Sequence, residues 1–110
     1  MERISYSGLS VLTGSAIARA VIAYANALAQ GESSASVEIP VRLEDGRESR
    51  ATLLIGPASQ LISIEQPTDG GELEAPEVVA EIEGRTRSLG SAPALPLDPD
   101  PQWNATAEEL

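Results

Sequence analysis

The chain has 110 residues, a formal net charge of −10, and no Cys, His or Lys. That length holds one domain, and the missing residue types remove disulfides, thiolate metal sites, the commonest general base and metal ligand, Schiff-base chemistry and a phosphate-loop lysine. The acidity argues against nucleic acid or an anionic membrane as a partner, since both reward cationic surfaces.

Ile4-Ser5-Tyr6 alternates and reads as a short first strand ended by Gly8, although Leu9-Ser10-Val11 alternates too. Residues 14–30 form the strongest helix pattern. Thr13 is its candidate cap and Gly31 its terminator. Ile17, Val21, Tyr24 and Leu28 follow the i, i+4, i+7, i+11 spacing of one apolar face, and seven alanines favour the helix and let it lie close against a sheet. This stretch is not expected to be an export signal: Arg19 interrupts it and Glu2 offsets Arg3, despite the cleavage-like Ala25-Asn26-Ala27. The expected location is the cytoplasm. No window is apolar enough to span a bilayer.

Val37, Ile39, Val41 and Leu43 alternate with polar residues and Pro40, which marks a half-buried strand with an edge or an outward-facing donor position at Pro40. Asp45-Gly46 signals a hairpin. A loop of three residues, Asp45-Gly46-Arg47, pairs Val41 with Ala51, Ile39 with Leu53 and Val37 with Ile55; a two-residue loop would turn Leu53 onto the polar face. Gly56-Pro57-Ala58-Ser59 is a turn, and Leu61 to Ile64 a further strand closed by Pro67.

The pattern predicts an α+β body over 1–66: one long helix on a small antiparallel sheet of three or four strands, in the order β-α-β-β-β. Residues 67–75 read as a flexible linker, 76–89 as a short amphipathic helix opened by Pro76, and 90–110 as an extended acidic Pro-rich tail. Charge divides the same way: five arginines against seven acids leave residues 1–66 at −2, while two arginines against ten acids leave residues 67–110 at −8.

Candidate sites are few. Glu44, Asp45 and Glu48 surround a hairpin tip, and Glu72, Glu74 and Glu77 crowd the linker. Neither set follows a calcium-loop pattern, and both read as solvated acids. Serines and threonines lack a His or Lys base. The sequence therefore assigns no catalytic, cofactor or metal residue. Val79, Ile82, Leu89 and Trp103 are the candidate partner contacts, and the uncharged loop Gly56, Pro57, Ser59 is a candidate loop site.

These features point to an acidic protein-interaction module, an inhibitor of the immunity type or a subunit of a larger assembly, rather than an enzyme. The alternative is a small-molecule or catalytic domain using Arg42, Arg50, Tyr6 or Tyr24, with a nucleic-acid mimic as a further alternative. An aromatic-poor core, with two Tyr, one Trp and no Phe, makes a homodimer a candidate state.

Overall fold

The structure, a computed structural model, describes residues 1–91. The tail from residue 92, with Trp103, lies outside the described residues. The architecture is α+β: a five-stranded antiparallel sheet carrying two helices. In chain order the elements are β1 (Glu2–Tyr6), β2 (Leu9–Thr13), α1 (Ser15–Gln30), β3 (Ala35–Arg42), β4 (Glu48–Ile55), β5 (Leu61–Glu65) and α2 (Pro76–Ser91). The sheet order is β4-β3-β2-β1-β5.

The first expectation to be corrected is the strand count. Both alternating tripeptides near the start are strands, so the order is β-β-α-β-β-β-α and not β-α-β-β-β. Ser7 and Gly8 both hold positive φ, 56° and 83°, as a two-residue type I′ turn requires, and Tyr6 then pairs with Leu9. The Ser-Gly dipeptide between two alternating runs carried this hairpin in the sequence.

The second hairpin keeps the odd loop but moves it one residue earlier. The Leu43 N–H donates to the Arg47 carbonyl and the Gly46 N–H to the Leu43 carbonyl, so the loop is Glu44-Asp45-Gly46 with Gly46 at φ 91°. Val41 therefore pairs with Ser49, Ile39 with Ala51 and Val37 with Leu53. A shift of two residues preserves which side chains face inward, and Val37, Ile39, Val41, Leu53 and Ile55 are all buried.

β3 is an interior strand, yet β2 pairs with it only at Leu12 and Arg42. Pro40 is tolerated there because no β2 carbonyl awaits a donor from it. Thr13, wholly buried, spans the gap instead: its hydroxyl donates to the Pro40 carbonyl at 2.7 Å. Thr13 is thus a strand tie and not the α1 cap. The two hairpins also converge at their far ends, where the Tyr6 hydroxyl donates to the Leu54 carbonyl and Tyr6, Val11, Ala51 and Leu53 line one cavity.

α1 buries Ile17, Val21, Tyr24 and Leu28, the predicted stripe, together with Ala18 and Ala20. Its N-cap is Gly14, which has no capping side chain. The cap arrives from the segment before α2: Glu72 Oε2 accepts the Ser15 N–H, and Glu72 Oε1 accepts the Met1 α-amino group at 3.0 Å. The neighbouring Leu73 is buried. A Cβ on Gly14 would lie 1.8 Å from the Leu73 carbonyl oxygen, so only glycine admits this approach. α2 packs on α1 in the same layer and contributes Ile82 to the core. Arg85 anchors it across the layer, donating to the Ser36 carbonyl at 3.1 Å and to Glu81 at 2.9 Å. The Tyr24 hydroxyl beside it, with Glu81, raises the guanidinium above its ordinary pKa.

Candidate functional site

With both helices on one face, no helix among the described residues covers the other face of the sheet. Residues directly opposite in an antiparallel pair share a face, and the register aligns Ile64, Arg3, Leu12, Arg42 and Glu48 in one transverse row across all five strands. Ile4 lies on the opposite face and is wholly buried beneath the helices, so this row is on the face away from them, with Leu12 in its middle buried at 8% exposure. Ile62 lies opposite Ser5, one row further along the same face.

Two features occupy this face. The first is an apolar edge. β5 ends the strand order, and its outward Ile62 and Ile64 are each 59% exposed. The second is a cleft of about 580 Å³ around the middle of the row, walled by Arg3, Arg42, Glu44 and Glu48 and overhung by Gln66, Thr68 and Gly70. The Arg3 Nε donates to Gln66 Oε1 at 2.7 Å and its Nη1 to Ser10 Oγ at 3.2 Å. The Arg42 Nη1 donates to the Gly71 carbonyl at 2.9 Å. These bonds place both guanidinium groups without neutralising either.

The sequence-predicted contacts fall elsewhere. Ile82 is 1% exposed and belongs to the core, while Val79 and Leu89 are half-buried against it. The helix thus presents its apolar stripe to the body. Gly56, Pro57 and Ser59 form a closed turn: the Gly56 N–H donates to Ser59 Oγ at 2.9 Å and the Ser59 N–H to the Gly56 carbonyl at 3.1 Å. That loop spends its polar groups on itself.

Of the residues considered for small-molecule chemistry, Tyr24 is buried, and Arg50 pairs with Glu38 at 3.2 Å on the surface. Tyr6 is engaged with Leu54. Only Arg42 reaches the cleft, and it meets there Arg3, which the sequence did not single out. The signal was present in the alternation Glu2-Arg3-Ile4, which turns Arg3 away from Ile4, but it needed the β1–β2 hairpin to align Arg3 with Leu12.

Glu72 belongs to the fold: its carboxyl is held below its ordinary pKa, chiefly by the Ser15 N–H and then by the Met1 ammonium. Among the described residues no group of three His, Cys, Asp or Glu side chains gathers as a metal site would need, and no helix is long and apolar enough to cross a membrane. No family model, curated protein or solved structure matches the chain.

Proposed function

We propose that the chain is a protein-interaction module, a subunit of a larger assembly or an inhibitor of the immunity type, that docks through the β5 edge and the open face beside it. The observation that carries this reading is the pair Ile62 and Ile64. Both are apolar and β-branched, both project to solvent, and they sit on a strand whose outer side has no neighbour among the described residues. Proteins ordinarily blunt such an edge with charge, Pro or a bulge. An unblunted edge with alternate apolar side chains suits β-augmentation, in which main-chain bonds supply affinity and alternate side chains supply specificity.

A second copy of the chain is one fitting partner. The two isoleucines flank Ser63 symmetrically, so two β5 strands pairing antiparallel about Ser63 bring Ile62 of each opposite Ile64 of the other. The reading assigns no catalytic residue and no cofactor.

The test is capture from native lysate on the immobilised full chain, with sedimentation velocity of the free chain alongside. The wild type should enrich a partner or sediment above the monomer mass, and Ile62→Lys with Ile64→Lys should abolish whichever is seen. A wild type that captures nothing and sediments as a monomer defeats the interaction reading; a double variant that retains the partner defeats the β5 assignment.

A further inference from the structure

Acids outnumber bases 17 to 7 in this chain. Arg47, Arg50 and Arg85 each take a carboxylate within salt-bridge distance. Arg3, Arg19, Arg42 and Arg87 take none among the described residues, and of these four Arg3 and Arg42 share one cleft. Their acceptors are a side-chain amide, a hydroxyl and a backbone carbonyl, all neutral. A guanidinium carries five N–H donors, so both groups keep donors beyond those bonds. Glu48 stands directly opposite Arg42 in the ladder, yet the Arg42 guanidinium turns instead to Gly71. A Cβ on Gly70 would lie 3.1 Å from Arg42 Nη1, so the 70–71 backbone packs closely over the guanidinium and fixes its direction.

The spacing is as informative as the missing partners. Arg3 and Arg42 are two strands apart, on the order of 10 Å at the usual interstrand distance, with Leu12 between them on the floor. Both are half-buried, so their stems are packed and little rotamer freedom remains to be lost on binding. The cleft volume lies within the range of small-ligand sites.

The geometry points to this cleft as a binding site for a small organic carboxylate that also carries an ammonium or hydroxyl group. The carboxylate is received between the Arg3 and Arg42 guanidinium groups, whose planar forks match its two oxygens. The carbon chain lies on Leu12. The donor end meets Glu44 and Glu48, which line the same cleft, Glu48 on the far side of Arg42 from Arg3. Those two acids also decide between anions. A phosphate dianion would face twice the repulsion from them that a monocarboxylate does. The proposal is independent of docking at β5, because Ile62 and Ile64 do not line the cleft.

The test is a titration of the full-length ¹⁵N-labelled chain with 4-aminobutyrate, followed at the Arg Nε–Hε and backbone amide signals by NMR, with inorganic phosphate as the competing anion. The expected result is saturable movement of the Arg3 and Arg42 signals with 4-aminobutyrate. Arg42→Gln should bind about tenfold more weakly, as loss of one charge-assisted hydrogen-bonding group implies. Arg42→Lys, which keeps the charge without the fork, should fall in between and guards against a variant that fails through misfolding. Shifts that stay linear into the tens of millimolar, tighter saturation by phosphate than by 4-aminobutyrate, or wild-type affinity in Arg42→Gln would each overturn the assignment.

Discussion

At the scale of single residues, the junction of Gly14, Glu72 and Leu73 shows how a segment with no regular structure completes the fold. α1 begins without a side-chain cap of its own, and four N–H groups at a helix start need acceptors. Glu72 supplies one from 57 residues away in sequence. The glycine at 14 is what lets the Leu73 backbone come close enough for that. Gly14→Ala should therefore destabilise the protein by on the order of 3 kcal/mol, because the clash is with backbone and not with a movable side chain; urea unfolding measures it. The Glu72 cap adds a pH signature. Its pKa in the folded chain is depressed below the ordinary 4.5, so its contribution is fully present above that value and is lost as pH falls through the folded pKa. Wild type should exceed Glu72→Gln in stability at pH 7, and the gap should close progressively below about pH 4.5. A gap that stays constant to pH 3 would mean that the cap works without its charge.

At the scale of elements, α2 is the informative case. Its sequence is weakly apolar, and a helix of this length is marginal in isolation; here it survives by placing Ile82 in the core and by the Arg85 bonds to Ser36 and Glu81. Two substitutions separate packing from propensity. Ile82→Ala should cost about 3 kcal/mol through the cavity it leaves. Gly84→Ala should stabilise by about 1 kcal/mol, since the added Cβ meets nothing nearer than Arg87 Nη2 at 3.8 Å and the helix interior prefers Ala. Both are read from urea midpoints, and a neutral Ile82→Ala would mean that α2 is not part of the cooperative unit. The helices were legible because a 3.6-residue stripe such as Ile17, Val21, Tyr24, Leu28 is a local property. So was the inward face of β3 and β4, since parity survives a shift of two residues. The exact loop was not: Gly46 takes positive φ with the turn placed at Glu44 or at Asp45 equally well, and hydrogen bonding across the whole ladder decides. The β1–β2 hairpin was present in the sequence but easily passed over, because its Ser-Gly turn is a weaker signal than Asp45-Gly46.

At the scale of the whole molecule, the two layers give each face one task. The inner face holds nearly every buried apolar side chain, and the outer face combines an apolar edge with a pair of arginines that have no acidic partner among the described residues. Neither outer feature was legible from the sequence. The acid count draws attention to residues 67–110, whereas Arg3 and Arg42 come together only through strand order, being 39 positions apart. Because the two arginines and the edge isoleucines lie outside the buried core, they should be separable from stability and from each other. Ile62→Lys with Ile64→Lys exchanges two outward side chains for charged ones on an acidic protein, so unfolding free energy should stay within about 0.5 kcal/mol per site. The same variant should lose docking at β5 while retaining the Arg3–Arg42 response to 4-aminobutyrate, and Arg42→Gln should do the reverse. Sedimentation velocity and NMR titration on the two variants in parallel measure this. If either substitution weakens both responses while the urea midpoint is unchanged, the edge and the cleft are one composite surface, and a single ligand engages Ile62, Ile64 and the arginines together.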